Sequence, residues 1–174
     1  MIDLPKDFEL LYDSDEIERA IDRVAVRLNA DLEGKNAVFV CVMHGGLPFT
    51  WDLMRRVNFD VALDFVRVHR YDGTKGGEIR TERDFHLDLE GKNAVIVDDV
   101  LDRGVTLRKL YERLSGSAER VLSAVLCDKK ALREVEIEAD YVALDAPDQY
   151  LIGRGMDMDG KFRQLPDIYA MRGP

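Results

Sequence analysis

Three carboxylates, Asp98, Asp99 and Asp102, crowd into one stretch, Ala94-Val-Ile-Val-Asp-Asp-Val-Leu-Asp-Arg-Gly-Val-Thr-Leu107, with Gly104 and Thr106 just behind them. Acids so placed can accept hydrogen bonds or exchange a proton, and the free amides of a helix start can hold an anion. The stretch opens on apolar, mostly β-branched Ala94 to Val97, the pattern of a strand buried on both faces. It closes on Leu107, Leu110, Tyr111 and Leu114 at helical spacing. The acids therefore stand where a strand ends and a helix begins, which is where ligands bind in an open parallel sheet. A second reading needs no ligand: Asp102 or Thr106 caps the helix and the other acids are solvated. The local pattern leaves both open.

The elements that must position these residues follow from periodicity. Phe8 to Tyr12 reads as an irregular segment or short helix lying against the body. Asp13 or Ser14 caps a helix with Glu16 in its first turn and Ile17, Ala20, Ile21, Val24 and Leu28 on its buried face. Ala37 to Met43 is an apolar strand that leads through His44-Gly45-Gly46 into a short helix, Leu47 to Arg56. Val61 to Val68 is a further strand, and residues 70–84 are polar, glycine-rich and without helical period, a long loop of the kind that usually has a function. Leu32-Glu-Gly-Lys-Asn-Ala-Val38 recurs as Leu89-Glu-Gly-Lys-Asn-Ala-Val95, so two strands are entered alike and their loops emerge at the same sheet edge. Gly116 ends the helix after the acids, and Arg120 to Cys127 and Tyr141 to Leu144 are strands. The alternation predicts an α/β fold with a mostly parallel sheet flanked by helices. From Pro147 the pattern breaks into an apolar tail that should pack over the sheet edge.

Composition narrows the function classes. The 174 residues, 46% hydrophobic and 34% charged, suit one soluble domain with a sizeable core. No run approaches the ~20 apolar residues of a membrane span, and the first residues resemble neither a signal nor a transit peptide, so a cytoplasmic protein with no membrane partner is expected. Cys41 and Cys127 lie in strand-like runs and read as buried free thiols. His44, His69 and His86 are scattered without zinc-ligand spacing. A net charge of −9 opposes a nucleic-acid surface, and means that an anionic substrate would need local amides, Arg or Lys, or a divalent cation.

The stretch from Asp98 to Thr106, two acids, two apolar residues and then Asp-x-Gly-x-Thr, resembles the ribose-phosphate signature of type I phosphoribosyltransferases. The resemblance extends over about residues 14–171 and is closest to bacterial hypoxanthine(-guanine) phosphoribosyltransferases, which transfer phosphoribosyl from phosphoribosyl pyrophosphate to N9 of a 6-oxopurine. It implies that fold with a core of about 35–145 and a small hood from about 1–12 and 146–174, all within one domain spanning 1–174. It also implies roles. Asp98 and Asp99 would accept from the ribose hydroxyls, while Arg103, Gly104, Val105 and Thr106 would hold the 5′-phosphate. Asp102 would exchange a proton with purine N7. His44, Gly45 and Gly46, after a peptide often cis in the family (here Met43–His44), would bind pyrophosphate with Arg163. Arg70 and Tyr71 would open a loop that closes over the site and excludes water. Lys129 would donate to the purine O6, selecting 6-oxopurines over 6-aminopurines, with Tyr150 stacking on the ring and the Leu151 carbonyl accepting from the base. Asp157 would hold Mg²⁺ with pyrophosphate oxygens. Family members are usually dimers or tetramers, so a homo-oligomer is expected.

The chain departs from the family pattern at several positions, among them Arg70 where Ser is usual. Asp98 stands for the commoner Glu, His44 for a Lys, and Arg103 for a hydroxyl residue. Arg103 either reaches the phosphate or turns to solvent and leaves it to the amides. Rival readings are a xanthine-preferring, adenine or orotate enzyme, or an RNA-binding regulator of pyrimidine operons on the same fold. The last is opposed by Asp102, Lys129 and the negative charge.

Overall fold

The structure is a computed structural model that describes residues 2–70, 79–81 and 86–173. In chain order the elements are β1 (Phe8–Tyr12), α1 (Ser14–Leu32), β2 (Ala37–Met43), α2 (Leu47–Met54), β3 (Val61–Arg70) and β4 (Ile79–Thr81). There follow β5 (Asn93–Leu101), α3 (Val105–Leu114), β6 (Arg120–Asp128), a 3-10 turn (Lys130–Leu132), β7 (Tyr141–Asp145), β8 (Leu151–Ile152) and β9 (Ile168–Met171). Six strands form one sheet in the order β4-β3-β2-β5-β6-β7. Neighbours from β3 to β7 run parallel, and β4 returns antiparallel on β3.

Strand β5 is central, so helices cover both of its faces and its apolar run needs no polar alternation. Phe39, Val95, Val97, Leu122 and Ala124 point to the layer of α1 and α2, where Ile17, Ile21, Leu28, Phe49 and Leu53 bury them. Val38, Val40, Ile96 and Val125 point the other way, onto Leu107, Leu110 and Leu114 of α3. The recurring Leu-Glu-Gly-Lys-Asn segments are two like turns that enter adjacent parallel strands. Gly34 and Gly91 take positive φ in both, and the Lys35 and Lys92 amides donate to Leu32 and Leu89. Both strands thus deliver their following loops to one sheet edge.

Two expectations are corrected. Phe8 to Tyr12 is neither irregular nor helical but a strand, because β9 and β8 supply an antiparallel partner that only the folded tail brings near. Residues 70–84 are not one continuous loop: Arg70 closes β3, and Ile79–Thr81 pairs back onto it. Tyr71 lies outside the described residues. The hood is this three-stranded sheet, β1-β9-β8, made from both ends of the chain. No described helix is long and apolar enough to cross a membrane.

Helix α1 starts in a full capping box, with the Asp13 carboxylate accepting from the Glu16 amide at 2.8 Å and Glu16 answering to the Asp13 amide at 3.1 Å. The Ser14 amide donates to Asp167 of the tail at 2.8 Å, so the same turn ties helix and hood. Asp13→Ala is expected to lower unfolding free energy by about 1 kcal/mol with activity unchanged; a urea midpoint equal to wild type would show that the box contributes nothing.

Candidate active site

The acids stand at the end of β5, as the sequence suggested: Asp98 and Asp99 lie within the strand, which runs on to Leu101, and Asp102 is in the turn that follows. Parallel hydrogen bonding to β6 continues that far, with Asp98 opposite Val125 and Leu101 opposite Asp128, and holds the strand extended. Successive residues of a strand face opposite ways, so Asp98 and Asp99 reach the cleft from the two sides of the sheet edge. With Asp102 they line a cavity of about 410 Å³. Its walls also include His44 and Gly45 after β2, Gly104 and Thr106 at the start of α3, and Asp157 and Arg163 from the tail. Lys129, Tyr150 and Leu151 are not part of this lining.

Two glycines make the close approach of separate segments possible. A Cβ on Gly45 would sit 1.8 Å from Oδ2 of Asp99, and one on Gly155 would sit 2.1 Å from the Gly45 carbonyl oxygen. The turn after β2 is thus pressed between the acid of β5 and the tail, with no room for a side chain at either contact. A Cβ on Gly46 would likewise sit 2.7 Å from the Val97 carbonyl oxygen of β5. The Met43–His44 peptide is cis.

Each charge in the cleft has an identifiable environment. Desolvation on the cleft floor raises the Asp99 carboxyl above the usual carboxylate range, outweighing hydrogen bonds from its neighbours and the field of Arg163. Oδ1 of Asp102 is buried without a hydrogen-bond partner. Buried polar atoms are nearly always paired, so an orphan in a cleft marks a group that awaits a partner from a ligand. Asp157 and Arg163 pair with each other at 2.6 Å, and the Gly160 amide donates to the second Asp157 oxygen at 2.7 Å. Arg163 also donates to the Gly155 carbonyl at 2.6 Å. Arg103 points away from the cleft and pairs with Glu134 at 2.8 Å, both half exposed. Lys129 is buried at the end of β6. Tyr150 is exposed, its ring edge-on to Phe8 of β1 and its hydroxyl donating to the Asp157 carbonyl at 2.8 Å. Burial pushes the thiols up, Cys41 to about 11 and Cys127 to about 12, so both stay protonated and inert at neutral pH.

The donor set at the tail is oxygen, which suits a hard cation rather than zinc. Among the described residues no cluster of three or more His, Cys, Asp or Glu is arranged to hold a metal. A cation at Asp157 would therefore take most of its oxygens from a bound ligand and water.

Sequence reasoning passed over Arg133 and Glu134, which brace Leu101, Asp102 and Arg103 from behind. It also passed over Gly155 and Phe8. No spacing distinguishes any of them, since each acts through a contact distant in sequence.

A phosphoribosyl transferase domain model matches residues 8–159. The hypoxanthine-guanine phosphoribosyltransferase of Streptococcus thermophilus is 33% identical over 173 residues, covering 97% of this chain and 96% of that protein. This chain belongs to the hypoxanthine-guanine phosphoribosyltransferase family. Solved structures agree with that membership. A hypoxanthine phosphoribosyltransferase from Staphylococcus aureus superposes with a TM-score of 0.90 at 29% identity, over 94% of this chain and 91% of that one. The Trypanosoma cruzi hypoxanthine phosphoribosyltransferase in complex with the product IMP gives 0.89 at 32% identity, over 98% of each chain. The chain is accordingly a purine-salvage transferase with the type I phosphoribosyltransferase fold.

The raised Asp99 carboxyl has a consequence for this phosphoribosyltransferase. Asp in the unfolded chain ionises near ~3.9, while the folded protein holds the Asp99 proton to higher pH. The native state then binds more protons between those two values, so stability falls as pH rises through that window and stays reduced above it. Asp99→Asn is expected to be more stable than wild type at pH 7, equal to it below about pH 4, and poorly active. Urea unfolding at the two pH values checks this, and a stability difference that does not change with pH would contradict it.

Proposed function

We propose that this protein transfers phosphoribosyl from phosphoribosyl pyrophosphate to N9 of hypoxanthine or guanine, giving the nucleoside 5′-monophosphate and pyrophosphate. The observation that carries this reading is the unpartnered Oδ1 of Asp102 in a cleft otherwise built to hold a sugar and two anions. Asp98 and Asp99 accept from the vicinal ribose hydroxyls, and the amides of Arg103, Gly104, Val105 and Thr106 take the 5′-phosphate. Arg103, engaged by Glu134, contributes its backbone rather than its guanidinium. Asp102 exchanges the proton at purine N7 as the glycosidic bond forms, holding charge near a ribosyl centre with cationic character.

Gly45 and Gly46 let their backbone approach the pyrophosphate, flanked by His44. Arg163, paired with Asp157 here, would contact the pyrophosphate, and the Asp157 carboxylate would hold Mg²⁺, which would supply charge neutralisation on the leaving pyrophosphate. Tyr150 forms one face of the base site, Lys129 donates to O6, and the Leu151 carbonyl accepts from the base. Arg70 and Tyr71 open the segment that covers the site during turnover. The chain acts as a single domain with its hood, as a cytoplasmic homo-oligomer of two or four copies. It has no nucleic-acid or membrane partner, in keeping with its net charge of −9.

Asp102→Asn keeps the shape of the site and removes the proton acceptor. It is expected to lower kcat by about 10²-fold or more while leaving the KM for phosphoribosyl pyrophosphate within about twofold. Steady-state pyrophosphate release measures both, and unchanged kcat would remove Asp102 from the proton transfer.

A further inference from the structure

Arg133 belongs to none of the motifs that identify the site, yet its contacts converge on the anion cradle from behind. Its guanidinium donates to the Leu101 carbonyl at 3.2 Å and to the Asp102 carbonyl, and pairs with the buried carboxylate of Asp128. The next residue, Glu134, donates its amide to the Arg103 carbonyl at 3.0 Å, and the Lys129 amide takes the Leu101 carbonyl at 2.9 Å. Three successive carbonyls, those of Leu101, Asp102 and Arg103, are thus drawn to one side.

A trans peptide is planar, so the C=O of one residue and the N–H of the next point in opposite directions. Drawing those carbonyls backward turns the amides of Asp102, Arg103 and Gly104 forward, where the unpaired first-turn amides of α3 continue the row. Gly104 completes the turn at φ 82°, and a Cβ there would meet the Arg133 stem at 3.0 Å and Ile137 at 2.7 Å. Glycine here therefore also makes room for the brace.

We infer that Arg133 is a positioning residue: it sets the direction of the phosphate-binding amides, and so the affinity for a phosphate monoester, without touching the ligand. This rests on the reading of the cradle as the 5′-phosphate site. The competing role for Arg133, neutralising buried Asp128 and nothing more, makes a different prediction, because Asp128→Asn would then make the arginine dispensable.

The test measures binding of inosine 5′-monophosphate and of inosine, by calorimetry on the full chain. Wild type should prefer the monophosphate by roughly tenfold or more. Arg133→Met should weaken the monophosphate by about 10- to 100-fold and change inosine by less than about twofold. Arg133→Lys, which can still donate to one carbonyl, should fall between. Arg133→Met combined with Asp128→Asn should regain thermal stability without regaining monophosphate affinity. Equal loss for both ligands in Arg133→Met, or full recovery of monophosphate affinity in the double variant, would overturn the assignment to Arg133. A wild type that does not distinguish the two ligands would overturn the cradle reading itself.

Discussion

Like charges at the end of one strand repel, and desolvation adds to the cost. Asp98, Asp99 and Asp102 nonetheless share the exit of β5, a central strand of the sheet. A fold tolerates such crowding where ligand groups take up the carboxylates, and the surroundings here are arranged for that exchange. Asp99 is pressed onto Gly45, Asp102 keeps one oxygen buried and unpaired, and Arg163 in the cleft wall is engaged by Asp157. The cleft therefore combines a buried acceptor oxygen that lacks a donor with an ion pair, Asp157–Arg163, at its wall.

Backbone proximity does the remaining work. The turn after β2 meets Asp99 on one side and the tail on the other, because neither Gly45 nor Gly155 carries a side chain. The hood is tied to the body by a partly exposed ionic cluster. Arg154 reaches both Glu18 of α1 and Asp52 of α2, while Arg56 adds contacts to Glu18 and Asp22. Because Arg154 spans Glu18 and the buried Asp52, the cluster joins the tail to both α1 and α2. Tyr150 and Phe8 extend the same logic, since their edge-on contact joins the N-terminal strand to the C-terminal tail.

Much of this was legible in the residues themselves. Buried parallel strands announce themselves as β-branched runs, and the face of α1 was readable at helical spacing, because both depend on local periodicity. The chemical residues were legible through a motif, Asp98 to Thr106, whose order in the chain matches its order in space. Three features were not. Phe8 to Tyr12 looked irregular because a strand so short takes its identity from β9, more than 150 residues away. Residues 79–81 pair only once β3 is in place. Arg133 looked like any charged residue in a polar stretch, since its work is done on backbone carbonyls that have no sequence signature.

The cleft is proposed to join a phosphoribosyl group to a 6-oxopurine. The most direct measurement of that proposal is pyrophosphate release from phosphoribosyl pyrophosphate and Mg²⁺ with hypoxanthine, guanine, xanthine, adenine and uracil supplied in turn. Turnover is expected with hypoxanthine and guanine and only background release with adenine and uracil; a Lys129 ammonium donating to O6, as proposed, would disfavour adenine, which carries an amine there. Turnover with adenine equal to that with hypoxanthine, or no release with any purine, would contradict it.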